Sequence, residues 1–215
     1  MNPAAPISVL ETLPYQIELD KEEFRLYHKL IVKFNPSLNL VSQKDVKELE
    51  IKHFLDSLAP KYFGLITDNN LKVLDFGTGC GFPGIPLKIA FPSLSMYLLE
   101  QSRKKAVFLE MAVKVLNLKE TKILKGEAKN FLSIYHNYFD LLLSRATGPL
   151  KEVLKIALPL VKEGGKLIFY KGKGVEKELE SVKEYLVKNN YPYETHPYLL
   201  TLREDGRNLL VIRKG

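Results

Sequence analysis

Ten residues constrain this chain more than any other feature: Asp75-Phe76-Gly77-Thr78-Gly79-Cys80-Gly81-Phe82-Pro83-Gly84. They follow a short apolar run, 72–76, that reads as a buried strand. They open a segment, 85–91, that reads as a helix. Glycines between a strand and a helix let the backbone turn sharply and approach a ligand closely. Gly79, Gly81 and Gly84 fit the dinucleotide pattern G-x-G-x-x-G, which alone is a weak signal. A P-loop is excluded, because Ile85-Pro86 follows Gly84 where Lys-Ser/Thr would be required. Three features weigh against NAD. Asp75 stands two residues before the first glycine, where a carboxylate repels a pyrophosphate but suits an ammonium group. Pro83 and Pro86 interrupt the expected start of a dinucleotide helix. The 215 residues leave no room for a cofactor domain plus a full substrate domain. Glu100, closing the next strand-like run, is placed to accept hydrogen bonds from a ribose diol. S-adenosylmethionine has a ribose, a cationic amino group and no phosphate. Asp75, Gly79 and Glu100 are therefore expected to bind it. The plainer reading is that both acids are solvated strand ends, and an NAD(P)-dependent oxidoreductase stays as the alternative.

The rest of the chain agrees with an α/β fold. After residue 70, strand-like runs at 72–76, 96–100, 121–124, 139–143 and 166–170 alternate with helical segments at 85–91, 104–116, 150–161 and 175–188. That alternation implies a parallel sheet with right-handed crossovers. Runs at 193–202 and 208–213, joined by Glu204-Asp205-Gly206, read as a closing antiparallel hairpin. The expected architecture is a Rossmann-like class I methyltransferase, with a mostly parallel seven-stranded sheet and a C-terminal antiparallel hairpin. Residues 1–65 are expected to form an N-terminal helical cap and residues 66–215 the methyltransferase domain. In the cap, Phe24, Tyr27, Leu30, Ile31 and Phe34 recur at helical spacing until Pro36 stops the helix. Ser42 caps a second helix, which carries Val46, Leu49, Phe54, Leu55 and Leu58 inward and ends at Pro60. The residues up to about 18 are expected to be loosely held. A single cysteine, Cys80, excludes a disulfide framework. No secretory leader or apolar run of membrane-spanning length is present, so the expectation is a cytoplasmic protein with no membrane partner.

The sequence resembles the RsmG (GidB) family of small-subunit ribosomal RNA methyltransferases. The resemblance rests on Phe34-Asn35 with Asn39-Leu40-Val41, on His53-Phe54-Leu55-Asp56-Ser57-Leu58, and on the glycine loop with its Phe-Pro-Gly ending. Ser144-Arg145-Ala146, Gly164-Gly165 and Lys171-Gly172 continue it. The resemblance implies methyl transfer from S-adenosylmethionine to N7 of guanine 527, in the 530 loop of 16S rRNA. It implies 16S rRNA or the small ribosomal subunit as partner, and cofactor roles for Gly77, Phe82, Ala128, Lys129 and Arg145. Where similar sequences carry an acid, this chain has Lys129, with Glu127 two positions earlier. The adenine contact then falls to backbone groups or to Glu127. A monomer is expected.

Guanine N7 has an in-plane lone pair and no proton at neutral pH, so no general base is needed and positioning supplies the catalysis. Cys80 lies in the cofactor loop, away from any role in carbon-5 pyrimidine methylation. Ser144-Arg145-Ala146 stands where adenine amino-methylases carry Asn/Asp-Pro-Pro-aromatic. Arg145, at the end of the fourth core strand, is the candidate catalytic residue, through cofactor or RNA-backbone contact. His53 and Asp56 share a helix face as a polar clamp or as part of the entrance, and Asn39 divides the same way. His28, His136 and His196 show no metal spacing, so no metal is assigned. Net charge is −2 over residues 1–70 and +9 over residues 71–215. Within the basic part, Arg103, Lys104, Lys105, Lys171 and Lys173 are the candidate RNA-phosphate contacts. The remaining alternative is a non-catalytic RNA-binding assembly factor with this fold.

Overall fold

Strand residues alternate between two cores, and this fixes the layers. In the strand Lys72–Phe76, Val73 joins one buried cluster and Leu74 and Phe76 the other. In Ser95–Glu100, Met96 and Leu98 join the first, Tyr97 and Leu99 the second. A sheet apolar on both faces must be covered on both. The computed structural model describes residues 8–10, 19–67, 70–201 and 206–215. Its strands are β1 (Ser8–Val9), β2 (Lys72–Phe76), β3 (Ser95–Glu100), β4 (Thr121–Lys125), β5 (Phe139–Arg145), β6 (Val161–Lys171), β7 (Tyr193–Leu199) and β8 (Arg207–Arg213). They form one sheet in the order β1-β7-β8-β6-β5-β2-β3-β4. β4, β3, β2, β5 and β6 run parallel, and β8 lies antiparallel between β6 and β7. β2 has β3 on one side and β5 on the other, so the winding reverses there. Ligands of open α/β sheets bind at such a switch point, beyond the strand C-termini.

The helices are α1 (Glu22–Leu38), α2 (Gln43–Val46), α3 (Ala59–Tyr62), α4 (Gly84–Ala90), α5 (Arg103–Val115), α6 (Leu150–Ala157) and α7 (Val175–Lys188). A π-helical turn, Glu50–Leu55, lies between α2 and α3. α6 and α7 cover one face of the sheet. α4 and α5 cover the other, together with Phe24, Tyr27, Ile31, Phe54 and Leu55 of the N-terminal segment. The N-terminal helices thus share a single buried cluster with the sheet.

All seven expected strands are present, and several boundaries differ. α1 continues past Pro36 to Leu38, where Asn39 turns left-handed at φ 48° and its N–H donates to Asn35 O. Asn39 is therefore the C-cap of α1. Ser42 does cap α2, accepting from Asp45 N, but Val46 is only half-buried and Pro60 starts α3 rather than ending a helix. α6 stops at Ala157, because Pro159 cannot donate to a continuing helix. Within the stretch expected to be loose, Ser8–Val9 pairs parallel with Tyr198–Leu199 and covers the open edge of β7. Glu204 and Asp205 of the expected hairpin turn lie outside the described residues. No helix among the described residues is long and apolar enough to cross a membrane.

Candidate active site

The glycine loop leaves β2 and is held from beneath by its own aspartate. Asp75 is fully buried, and its Oδ2 accepts from Gly84 N (2.7 Å) and from the Thr78 hydroxyl. Burial raises its carboxyl to about 6. Asp75 is absent from the wall of the cavity above the loop. Its Oδ2 is thus taken by the turn's own donors rather than facing a ligand's ammonium group as expected, while its Oδ1 is buried with no hydrogen-bond partner among the described residues. Glu100, at the end of β3, does reach the cavity. Its Oε2 accepts from Gly79 N (2.9 Å) and its Oε1 from Ser102 N (2.7 Å). That cavity, of about 640 Å³, is also lined by Gly77, Gly79, Phe82, Ala128, Lys129 and Arg145. The strand ends thus bring together every expected cofactor residue except Asp75. Lys129 is exposed and pairs with Glu127 at 2.7 Å.

Arg145, at the end of β5, is the junction between sheet and helices. Its Nη1 donates to Asp56 Oδ2 at 2.8 Å and its Nη2 to His53 Nδ1 at 2.9 Å. The guanidinium lies over the Phe82 ring, 5.1 Å from its centroid. The π-helical turn and the residue after it supply both partners, His53 and Asp56, a spacing that puts them on one face. Asp56 is fully buried. Its Oδ1 accepts from Tyr198 OH (2.7 Å), and Arg207 of β8 approaches its Oδ2 at 3.4 Å. Burial opposes the Arg145 charge, and Asp56 more than restores it. The clamp closes with Tyr170 OH donating to Ser57 O (2.8 Å) and Tyr27 OH donating to Cys80 O (2.6 Å). His53 and Asp56 thus form a polar clamp with Arg145 as its third member, and His53 lines the cavity as well. Immediately after Arg145, Ala146 adopts φ 56°, a conformation that costs a non-glycine residue about 1 kcal/mol or more. This bend lies on the cavity wall.

A guanidinium only donates, so His53 Nδ1 accepts and its proton sits on Nε2. Burial, with the Arg145 charge, lowers His53 to about 4 from 6.5. Between pH 6.5 and 4 the unfolded chain binds a proton that the folded one does not, so stability falls as pH drops through that window. Asp75 works in the opposite direction, because its raised value lets the folded chain take up a proton first below about 6. His53→Gln keeps an acceptor and removes only the histidine contribution. Between pH 7 and 5 the variant is expected to lose about 1–2 kcal/mol less stability than the parent in urea denaturation. Equal losses would show that His53 titrates normally.

The five expected RNA cations are not equivalent. Arg103 and Lys104 are exposed at the start of α5, and Lys105 lines the cavity above the glycine loop. Lys171 and Lys173 line a neighbouring cavity of about 910 Å³, which shares Asp45, Arg145 and Ala146 with the first. The Lys171 side chain is only 12% exposed and is bound to Glu178 at 2.7 Å, so its charge is already neutralised. This corrects its expected role as a free phosphate contact.

Residues 20–201 match the GidB family, rRNA small subunit methyltransferase G. The chain belongs to this family. A ribosomal RNA small subunit methyltransferase G of Thermoanaerobacter pseudethanolicus is 40% identical over 167 residues, 77% of this chain and 69% of the relative. One of Streptococcus equi subsp. equi is 33% identical over 223 residues, 100% of this chain and 92% of the relative. Among solved structures, a chain of the fibrillarin/Nop5p complex superimposes with TM-score 0.59 at 16% identity, covering 75% of this chain and 82% of that one. TYW2 of M. jannaschii, solved in complex with AdoMet, gives 0.55 at 18% identity, covering 80% and 76%. The likeness is one of fold, the Rossmann-like class I methyltransferase fold.

Sequence reading of this GidB-family chain missed Tyr27, Tyr170, Tyr198 and Arg207 as supports of the clamp. Only Tyr27 carried a usable signal, its place on the inward stripe of α1. It also missed Asp45, which lines both cavities and stands 4.0 Å from His53 Nε2.

Proposed function

We propose that this chain transfers a methyl group from S-adenosylmethionine to N7 of a guanosine in 16S rRNA, guanine 527 of the 530 loop. One observation carries the reading. The glycine loop, pinned by Glu100 at Gly79, opens onto a cavity whose other wall is the Arg145–His53 clamp. The residues fit the cofactor. A Cβ at Gly79 would meet no protein atom within 4 Å, so the space over the loop is open to a ligand. The donor set is chemically right: both Glu100 oxygens are fixed by backbone N–H groups, and each keeps lone pairs for a ribose hydroxyl. A cavity of about 640 Å³ suits a small-molecule site. Gly77 and Gly79 would approach the cofactor by backbone, Glu100 would hold the ribose, and Ala128 beside the Glu127–Lys129 pair would flank the adenine. When bound, S-adenosylmethionine supplies an electrophilic sulfonium methyl.

The protein's work is positioning. Phe82 and His53 stack at 4.8 Å with planes 16° apart, giving the cavity a flat, rigid wall. Arg145 holds that wall to the sheet, and no residue has to take a proton from N7. Residues 1–65 act as the cap over this site and residues 66–215 as the catalytic domain. The protein works as a cytoplasmic monomer on 16S rRNA or the small subunit, with no membrane partner.

Lys104→Ala and Lys105→Ala together are expected to raise the apparent KM for RNA and to flatten the salt dependence of binding by roughly one to two counterions. Lys171→Ala is expected to leave that slope unchanged. Equal slopes for the parent and the double variant would remove this surface from the RNA path. The central experiment follows labelled methyl transfer to small subunits and to naked 16S rRNA, with cleavage mapping at 7-methylguanosine. Modification of another base, or none, would overturn the reading.

A further inference from the structure

The proposed reaction leaves one question to the cavity: how guanine is told from the other bases. The cofactor half of the cavity is built by the sheet, and the helical segment adds Leu40, Val41, Ser42, Asp45 and His53. Asp45 is the only acid in that contribution. Asp56 is buried against Arg145, Arg207 and Tyr198, Glu100 is assigned to the ribose, and Glu127, on the sheet side, pairs with Lys129. The Asp45 side chain is 29% exposed and lies beside the His53–Phe82 stack, with Oδ2 4.0 Å from His53 Nε2. Its Oδ2 accepts from the Ser42 hydroxyl at 2.6 Å, and its Oδ1 is paired with Lys52 Nζ at 3.6 Å. A carboxylate has about four acceptor positions, so capacity remains on both oxygens.

We infer that Asp45 reads the Watson–Crick edge of the target guanine, accepting from N1–H and the 2-amino group. This rests on the proposed N7 methylation. Among the four RNA bases only guanine presents two adjacent donors on that edge, the pattern a carboxylate takes in a bidentate fashion. Adenine and cytosine pair a donor with an acceptor, and uracil sets one donor between two acceptors. N7 lies on the opposite side of the purine from N1 and N2. A base with N7 turned to the sheet-built half therefore turns its donor edge towards the helical segment. The second contribution is electrostatic. As the N7 lone pair forms the new carbon–nitrogen bond, the sulfur–carbon bond breaks with its pair going to sulfur, and the purine gains a full positive charge. A fixed carboxylate on the far edge of the same ring stabilises that charge more in the transition state than in the ground state. The Ser42 hydroxyl, chiefly, holds the Asp45 carboxyl below its usual range and hence ionised near neutral pH.

The test compares guanosine with inosine, which lacks only the 2-amino group, at the target position of reconstituted small subunits. For the parent protein, kcat/KM is expected to favour guanosine by roughly 10- to 100-fold, the value of a hydrogen bond to a charged acceptor. Asp45→Asn should lose guanosine activity mainly in kcat and bring the preference to within about threefold. Asp45→Glu, keeping the charge, should retain part of the preference. Because the ratio compares two substrates on one enzyme, partial unfolding of a variant does not change it. A parent protein that methylates inosine as fast as guanosine overturns the inference and leaves the proposed function standing. So does an Asp45→Asn variant with an undiminished preference. Failure to methylate guanosine at all overturns both.

Discussion

Arg145→Ala is expected to lower the melting temperature by roughly 10 °C and to abolish methyl transfer. Removing one partner of a buried ion pair costs about 3–5 kcal/mol, since the other charge stays buried without compensation. Here the stranded group is Asp56, fully buried, left with Tyr198 at 2.7 Å and Arg207 at 3.4 Å. Arg207 softens the loss, so about 3 kcal/mol is the expected value, against a total stability of about 5–15 kcal/mol. For a chain of this size each kcal/mol moves the midpoint by about 2–4 °C. The variant also frees His53 from its donor and removes the cation over Phe82, so the cavity wall loses both fixings. Arg145→Lys should recover part of the stability but little activity, because an ammonium cannot span Asp56 and His53 as a planar fork does. Calorimetry and a labelled-methyl assay measure the two effects. A midpoint within 2 °C of the parent, with near-parental turnover, would show that Arg145 is a surface strand-end residue.

Gly81→Ala should strongly destabilise the loop, because strain and steric clash coincide there. Gly81 sits at φ 112°, outside the range that alanine adopts readily. A Cβ there would stand 2.5 Å from both the Tyr27 hydroxyl oxygen and Ile85 Cδ1. Tyr27 is fully buried and holds Cys80 O at 2.6 Å, so it has nowhere to retreat. Strain and overpacking each cost about 1–3 kcal/mol, giving a loss of about 2–5 kcal/mol. Gly79→Ala is the matched control, with φ 63° and no protein atom within 4 Å of the new Cβ. It should cost only about 1 kcal/mol of stability while impairing cofactor binding. Denaturation midpoints and S-adenosylmethionine titration separate the two. If Gly81→Ala unfolds no more easily than Gly79→Ala, the loop is not wedged between α1 and α4 as the structure has it.

Much of this was legible in the residues themselves. Apolar runs alternating with amphipathic segments carry the period of each element, so the seven strands and the crossover helices could be placed within a few residues. Prolines misled where position mattered more than identity: Pro36 is tolerated in the last turn of α1 and Pro60 opens α3. Ser8–Val9 was unreadable, because a two-residue strand has no periodicity and exists only where β7 offers an edge.

The candidate site divides along the same line. Gly79 and Glu100 were legible because they lie within a local loop or at a strand end, where backbone geometry is written in the residue type, whereas Gly77 and Phe82 came from the family resemblance. The sequence by itself determined the α/β layering, the ligand-binding loop and the family. Only the tertiary structure decided what each charge faces. It turned Asp75 inward to its own loop and bound Lys171 to Glu178. It joined Arg145 to His53 and Asp56, 92 and 89 residues earlier, and brought Tyr198 and Arg207 to the same carboxylate. Backbone periodicity is a local property and survives in the order of residues. The pairing of buried charges depends on which chain segments meet in space, and sequence spacing does not encode that.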